Sequence, residues 1–176
     1  PQFDGILVQG LKETILESGK HKMLIIIHTS TSHGPSYNKR YPSEFEKFTP
    51  VCTTVEMSKA DKGELINSYD NSILYTDYIL DQVIGQLKEL PEWRSCMMYI
   101  SDHGESLGEG GLYMHGVPIA ISPREQLEIP FIVWTSDTSL KIKNMEVYKQ
   151  YHVFHSVMNF LGARSDIYDE TMNIFE

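Results

Sequence analysis

The residues of this 176-residue sequence that are best suited to chemistry lie in two polar clusters. One cluster contains His33, and the other is Asp102-His103-Gly104-Glu105; a third polar piece, which contains His115, follows a Gly-rich loop. Imidazole nitrogen and carboxylate oxygen together are typical ligands of zinc, and manganese is the alternative. A divalent cation polarises a phosphoryl oxygen and lowers the pKa of a bound nucleophile. The residue types therefore predict metal-assisted chemistry.

The two clusters directly follow two apolar runs, Met23–His28 and Cys96–Ile100, which are typical of buried strands. Apolar strands that alternate with amphipathic helices predict an α/β domain, with a largely parallel sheet flanked by helices. Ligands of such sheets bind beyond the carboxyl ends of the strands. We therefore expect both clusters and His115 to face one crevice. Adjacent Asp102 and His103 need a bent backbone to reach one ion, and Gly104 makes unusual dihedral angles accessible.

Hydrophobic periodicity and boundary residues predict the other elements. Asp61 is the expected N-cap of a long helix, and Gly162 is expected to end a later one. Apolar residues at three- and four-residue steps from Ile66 to Leu87 predict the buried face of the long helix. The predicted elements are a strand over Ile129–Trp134 and helices over Leu11–Leu16, Lys62–Leu90 and Tyr148–Leu161.

A structural role is the alternative for each of the seven histidines. An isolated Asp-His-Gly is commonly a turn, and His33 and His115 each precede a glycine. Independent turns have no reason to gather at one sheet edge, so the predicted convergence favours a metal site. The other histidines are interpreted as core, structural or surface residues: His21, His28, His152 and His155.

Composition excludes several classes of protein. The net charge of −9 argues against nucleic-acid binding, which needs a basic face. No apolar run reaches the roughly 20 residues of a membrane-spanning helix. Two cysteines cannot form a disulfide framework or a thiolate zinc site. Cys96 is predicted to be a buried hydrophobic residue, and Cys52 either a free thiol or half of a bridge.

Both clusters and the helix between them resemble the phosphoethanolamine transferases that modify lipid A, a group that includes the mobile colistin-resistance enzymes. The resemblance extends from Phe3 to Phe160, and it implies the fold of the alkaline phosphatase and sulfatase superfamily. The segments that carry it are His28–Cys52, Tyr69–Asp81, Ser101–Glu109 and Gly111–Gly116.

The resemblance also implies roles for five residues. Asp102 and His103 match ligands of a catalytic Zn2+. His33 and His115 match histidines that line the substrate phosphate and can hold a second zinc, and Glu105 matches an acidic residue near the bound phosphoethanolamine. In this family a zinc-activated threonine takes phosphoethanolamine from phosphatidylethanolamine. It then passes the group to lipid A or another cell-envelope acceptor.

The family's nucleophilic threonine and a glutamate ligand belong to a stretch upstream, and nothing in this chain matches it. Residues 1–176 are therefore expected to be a partial sulfatase-like catalytic domain, inactive alone. The resemblance implies N-terminal membrane helices outside this chain and a place at the periplasmic face of the bacterial inner membrane. It also implies a cysteine partner for Cys52 at a position where this sequence has Ala60. The alternatives are a sulfatase or phosphodiesterase of the same superfamily, and a metal-binding domain without turnover.

Overall fold

The computed structural model describes residues 3–176, which divide into two compact units. Of the described residues, the first consists of 3–9, Ile26–Val83 and Ser101–Pro130, and the second of Gly10–Ile25, Ile84–Ile100 and Phe131–Glu176. The helices are Leu11–Glu17 (α1), Lys62–Lys88 (α2), Arg124–Leu127 (α3) and Tyr151–Leu161 (α4). The strands are Cys96–Ile100 (β1), Ser106–Leu107 (β2), Tyr113–Met114 (β3) and Phe131–Thr135 (β4). None of the helices in this part of the chain combines the length and the apolar character needed to cross a bilayer.

The long predicted helix is confirmed as α2, but its predicted face is buried only in part: Thr76 is buried, and other members of the face are partly buried. Its N-terminus is capped by Asp61, whose Oδ1 accepts hydrogen bonds from the amides of Gly63 (2.9 Å) and Glu64 (3.1 Å). Ile73, which was predicted to be buried, is exposed. The buried stripe is displaced around the helix and half of it is polar: Leu65, Ser68, Asn71, Ser72, Tyr75, Thr76, Ile79 and Val83. Hydrophobic periodicity does not reveal this stripe, because the pattern is built from apolar residues and takes no account of small polar side chains that are buried.

The polar face of α2 holds two long loops by hydrogen bonds. The Asn71 side chain is fully buried; its Oδ1 accepts from the amides of Lys47 (2.8 Å) and Phe48 (2.9 Å), and its amide donates to the Phe48 carbonyl (2.8 Å). The hydroxyls of Thr31 and Thr76 lie 2.6 Å apart and are hydrogen-bonded. Buried polar groups are tolerated when they are paired in this way. The loop that leads to His33 is therefore tied to α2.

The apolar core of the first unit lies beside these contacts. The β2–β3 hairpin packs against it, so the second polar cluster is attached to the same core. Cys52 belongs to this core and is a free thiol in the chain. The buried members are Tyr37, Cys52, Met57 and Leu65, and the partly buried ones are Ala60, Tyr69, Leu107, Tyr113 and Met114.

The second unit contains β1, β4, α1 and α4. Strands β1 and β4 pair antiparallel, with Met98 opposite Val133. Helix α4 ends at Gly162, in the left-handed conformation predicted for that position (φ 59°). The Ser156 hydroxyl on α4 accepts a hydrogen bond from the Ile174 amide (3.0 Å), and Ile174 is buried. The C-terminal segment is thus anchored to α4.

The strand predicted over Met23–His28 is not formed. These residues contain no strand in the structure, Ile26 is 83% exposed, and His28 is exposed rather than in the core. In the described part of the chain, β1 pairs only with β4, in antiparallel register, so the expected parallel neighbour of β1 is missing. An apolar run becomes a buried strand only where other strands pair with its edges and other layers cover its faces. None of the described strands pairs with residues 23–28.

This difference in burial predicts different responses to the same substitution. Leu65 is 1% exposed and Leu24 is 58% exposed. We expect Leu65→Ala to lower the free energy of unfolding by about 3 kcal/mol, because it leaves a cavity in the core. Leu24→Ala should lower it by less than about 0.5 kcal/mol. Urea unfolding followed by circular dichroism measures both. Equal losses would mean that residues 23–28 are buried after all.

The two cysteines should be unreactive in the folded chain. Burial raises the pKa of the Cys96 thiol to about 11, and Cys52 is buried in the core. Since the thiolate is the reactive form, iodoacetamide at pH 8 should modify Cys96 much more slowly than it does in urea. The unfolded thiol ionises at lower pH, so the free energy of unfolding should fall as the pH rises from 9 toward 11. Mass spectrometry of the alkylated chain tests this, and rapid native modification of Cys96 would contradict it.

Candidate metal centre

Three histidines from the two polar clusters and the third polar piece meet in the first unit. Each of His33, His103 and His115 offers a ring nitrogen, and these three atoms lie within 4.8 Å of one another. The rings of His103 and His115 are stacked with centroids 3.6 Å apart, and the His33 ring lies edge-on to both. The predicted convergence of these histidines is confirmed. We call this group the three-histidine cluster.

In every member of the cluster the Nδ1 atom already has a partner. His33 Nδ1 lies 2.7 Å from the Gly34 carbonyl, and His103 Nδ1 lies 3.1 Å from the Gly104 carbonyl. His115 Nδ1 lies 2.8 Å from Oε1 of Glu105. Carbonyl and carboxylate oxygens only accept, so each Nδ1 carries the proton and donates it. The lone pair of each neutral ring is then on Nε2, the atom that can bind a metal.

Glu105 connects the cluster to the core. Its side chain is 5% exposed, and its second oxygen, Oε2, accepts hydrogen bonds from the Tyr37 hydroxyl and from the Gly34 amide (3.3 Å). Burial and the neighbouring carboxylate both raise the pKa of Tyr37 far above its usual value, so its hydroxyl remains a donor. The family resemblance implies that Glu105 is near the bound phosphoethanolamine. In the structure its carboxylate accepts a hydrogen bond from His115 and fixes the orientation of that ring.

The β2–β3 hairpin explains why Glu105 and His115 are neighbours. Ser106 is opposite Met114 in the antiparallel register, so the residues just outside the pair, Glu105 and His115, are the next to face each other. Met114 has a φ of 62°, which is uncommon for a residue other than glycine. This left-handed conformation at the end of β3 turns the chain just before His115.

Asp102 lies at the edge of the cluster and not within it. Its side chain is 76% exposed, and its Oδ2 lies 3.7 Å from Nε2 of His103. Its Oδ1 accepts a hydrogen bond from the amide of His103 (3.1 Å). The carboxylate is therefore beside the nitrogen that His103 offers to a metal, as expected for two residues that bind the same ion.

Hydrogen bonds at both its amide and its carbonyl hold the backbone of His33 in place. Its amide donates to the Ser30 carbonyl (3.2 Å), which closes a tight turn, and its carbonyl accepts from Nε of Arg40 (3.1 Å). The hydroxyls of Thr31 and Ser32 in this turn are hydrogen-bonded to α2. These hydroxyls therefore hold the turn against α2.

Gly104 serves the site for a reason other than the one expected from the sequence. It is not among the glycines with a positive φ. A Cβ atom at this position would lie only 1.9 Å from the Glu125 carbonyl oxygen. A glycine is therefore required by the close approach of another segment, and not by an unusual dihedral angle.

Two other histidines have structural contacts, as predicted. His152 is buried in α4 and its Nδ1 accepts from the Lys149 amide (3.0 Å), while Nδ1 of His155 accepts from the Asp169 amide (2.9 Å).

Two residues that stabilise the cluster were not predicted from the sequence: Tyr37, which donates to Glu105, and Gln126, which donates to Ser106. A tyrosine or a glutamine in a polar loop gives no signal of such a role.

The donors at the site fit a divalent metal ion. Imidazole nitrogens with a carboxylate beside them are the set that zinc prefers in proteins, and a carboxylate or carbonyl behind each imidazole is the usual outer shell of a metal-binding histidine. His33, His103 and His115 would each present Nε2 to a bound ion, and Asp102 would add an oxygen beside His103.

Comparison with known proteins places this geometry in a family. The sequence profile of the Sulfatase family matches residues 1–163. The chain is 37% identical to the phosphoethanolamine transferase EptA of Escherichia coli K12 over 186 residues, which cover 99% of this chain and 34% of that protein. It is 38% identical to the Kdo(2)-lipid A phosphoethanolamine 7''-transferase of the same strain, over 80% of this chain and 24% of that protein. The chain thus spans about a third or less of these relatives.

Two solved structures have the same fold. The C-terminal periplasmic domain of phosphoethanolamine transferase EptC from Campylobacter jejuni matches 98% of this chain and 57% of that domain, with a TM-score of 0.86 and 41% identity. The integral membrane protein lipooligosaccharide phosphoethanolamine transferase A from Neisseria meningitidis matches 98% of this chain and 34% of its own, with a TM-score of 0.90 and 35% identity. The alkaline phosphatase and sulfatase-like fold predicted from the resemblance is confirmed.

The geometry of the cluster predicts that the chain binds zinc through its histidines. His33→Ala, His103→Ala and His115→Ala should each weaken zinc binding by at least about tenfold, since even the loss of an outer-shell partner costs that much. Isothermal titration calorimetry of the chain measures the affinity. His21→Ala is the matched control, because His21 is exposed and outside the cluster. Unchanged affinity in all three variants would show that the cluster is not a metal site.

Proposed function

Since this chain belongs to the sulfatase family, we propose that it carries metal-binding residues of an enzyme that transfers phosphoethanolamine from phosphatidylethanolamine to lipid A or a related cell-envelope acceptor. The observation that carries the proposal is the three-histidine cluster, in which each ring uses Nδ1 for a protein oxygen and keeps Nε2 for a metal, and in which Nε2 of His103 lies 3.7 Å from the Asp102 carboxylate. Relatives that share this segment of sequence are named as phosphoethanolamine transferases.

We assign Asp102 and His103 to a catalytic zinc ion, and His33 and His115 to the substrate phosphate and to a second zinc. The stacking of His103 on His115 brings the two sets next to each other (3.6 Å between ring centroids). Bound zinc would supply a Lewis acid that polarises the phosphoryl oxygen and lowers the pKa of the nucleophile. The protein residues supply position: an oxygen acceptor holds Nδ1 of each ring, and this leaves Nε2 for the metal or the phosphate.

We assign Glu105 to the substrate site through His115. Both of its oxygens are hydrogen-bonded to protein groups, and its side chain is almost fully buried. Such a carboxylate fixes the tautomer and the ring orientation of the histidine it holds. It also leaves negative charge close to the ammonium group of phosphoethanolamine, as the family resemblance implies.

The reaction proposed for the whole enzyme has two displacements at phosphorus. A threonine hydroxyl forms a P–O bond to phosphatidylethanolamine as the bond to diacylglycerol breaks. An oxygen of the acceptor phosphate then forms a bond to the same phosphorus as the bond to threonine breaks. The resemblance places that threonine upstream of this chain, so we propose that residues 1–176 do not catalyse transfer alone.

We place the whole enzyme at the periplasmic face of the bacterial inner membrane. Two relatives of known structure support this: one is a C-terminal periplasmic domain, and the other is an integral membrane protein named as a lipooligosaccharide phosphoethanolamine transferase. A lipid donor and a lipid-linked acceptor both require a site close to a membrane. The proposed partners are therefore phosphatidylethanolamine and an envelope glycolipid, and not nucleic acid.

A hydrolase is the second candidate, because the matching profile is that of the Sulfatase family. In a sulfatase or phosphodiesterase, water takes the place of the acceptor in the second displacement. The same cluster would then release free sulfate or phosphoethanolamine. The identity of the product distinguishes the two reactions.

The proposal is tested in a protein of the relatives' full length that carries this chain. It is expressed in a Gram-negative host together with its Asp102→Ala variant, and the extracted lipid A is examined by mass spectrometry. We expect a phosphoethanolamine adduct with the parent and at least about a hundredfold less with the variant, since loss of groups that stabilise charge at a reacting centre costs about 10²–10³ in rate. His21→Ala should give the parent's result, because His21 is exposed and outside the site.

A parent that forms no adduct but releases free phosphoethanolamine from phosphatidylethanolamine would favour the hydrolase. A parent that does neither, when it is well expressed, would contradict the enzymatic function. An Asp102→Ala variant that is as active as the parent would refute the assignment of the metal ligand.

A further inference from the structure

The one-turn helix α3, which lies outside the three-histidine cluster, contacts the turn Asp102–Glu105. This turn carries His103 and the Glu105 carboxylate that orients His115, and we call it the metal-binding turn. The residue of α3 that makes the contact is Gln126. Gln126 is 5% exposed, although glutamine is usually found at the surface. A buried amide in a helix of four residues indicates that its side chain has specific partners.

Gln126 has partners on either side of Glu105. Its side-chain Nε2 donates to the hydroxyl of Ser106 (2.9 Å), which is fully buried. Its backbone carbonyl accepts from the amide of Gly104 (3.1 Å). Its Oε1 accepts from the hydroxyl of Ser122 (3.4 Å). One residue thus holds the positions immediately before and after Glu105, and Ser122 holds the amide in the orientation that this requires.

The metal-binding turn and α3 are packed closely against each other at Gly104 and Glu125. A Cβ at Gly104 would lie 1.9 Å from the Glu125 carbonyl oxygen, so the backbones are in direct contact there. Glu105 cannot move without disturbing the contact at Gly104 or the hydrogen bond at Ser106. Because Glu105 orients His115, and His103 precedes Gly104, the positions of two cluster histidines depend on this contact.

On this basis we propose that Gln126 is a positioning residue for the metal centre. It fixes the metal-binding turn, through Ser106 and Gly104, before a metal ion arrives. The inference rests on the proposed function in one respect, that the cluster binds a divalent ion. Gln126 is hydrogen-bonded to Ser106, Ser122 and Gly104 and not to a cluster histidine, so it acts through the turn. The amide is suited to this task because it donates and accepts at the same time and carries no charge.

The test uses Co2+ as a probe of the chain itself, since its visible absorption reports the geometry of the bound ion. Gln126→Leu removes both side-chain hydrogen bonds and keeps a buried side chain of similar size. We expect it to weaken Co2+ binding about tenfold, the lower end of the effect of outer-shell partners, and to change the visible spectrum. Gln9→Leu is the matched control, because Gln9 is exposed, and it should leave both measurements unchanged.

Ser106→Ala is the second variant, and it removes only the hydroxyl that Gln126 contacts. It should weaken Co2+ binding by several-fold. In a double-mutant cycle its effect should largely disappear when Gln126 is already leucine, because both changes break one hydrogen bond. Far-ultraviolet circular dichroism and a cooperative urea transition confirm that each variant is folded. If Gln126→Leu does not fold, Ser106→Ala decides the question.

Folded variants that bind Co2+ with the parent's affinity and spectrum would overturn the role of Gln126 and leave the metal centre intact. Fully additive effects of the two substitutions would also overturn it, since they would show separate causes. A parent chain that binds no Co2+ would overturn the metal centre itself, and the positioning role with it. These results separate failure of this inference from failure of the proposed function.

Discussion

The metal centre depends on one buried carboxylate. Burying a charge is costly unless hydrogen bonds satisfy it, and Glu105 receives them from three parts of the first unit. Tyr37 belongs to the core, Gly34 follows His33 in its loop, and His115 follows the β2–β3 hairpin. Loss of any one donor would leave part of the charge unsatisfied. This requirement keeps the three segments together, and it gives the His115 ring a defined orientation.

A second requirement acts on the loop that contains His33. This loop has no regular strand to hold it, and it is fixed instead by hydrogen bonds to the polar face of α2. Such contacts need small side chains in register with the loop, and α2 supplies Ser72 and Thr76. A helix that is expected to bury apolar residues buries hydroxyls and an amide here because it supports loops that carry backbone polar groups. The rigidity of the site thus originates in paired polar groups as much as in apolar packing.

The outer contacts of the centre follow a common pattern. Each ring of the three-histidine cluster has an oxygen acceptor at Nδ1, and Gln126 contacts the turn that carries His103 and Glu105. Groups in this outer layer touch neither metal nor substrate, yet they determine the geometry that binds them. The matched relatives extend well beyond the segment shared with this chain, which contains the histidine-bearing loops and their support. Additional ligands from elsewhere in such a protein would complete a centre whose orientation is already determined here.

The sequence alone determined the residue types and the local elements. Asp102, His103, His33 and His115 were identified by chemistry and by resemblance, because imidazole and carboxylate groups beside glycines are local features. Helix α2 and its cap at Asp61, strand β1 and the end of α4 at Gly162 were also predicted, since caps and periodicity act over a few residues.

Only the tertiary structure decided which faces are buried and which distant groups meet. Burial depends on what covers a segment. Residues 23–28 have the composition of a core strand, but none of the described strands pairs with them. The buried face of α2 is the one against which the loops pack. The partnership of Glu105 with Tyr37 and that of Gln126 with Ser106 join residues far apart in the chain. Such contacts leave no periodic trace in a single sequence, because one hydrogen bond between distant side chains needs only the right atoms at the right place in space.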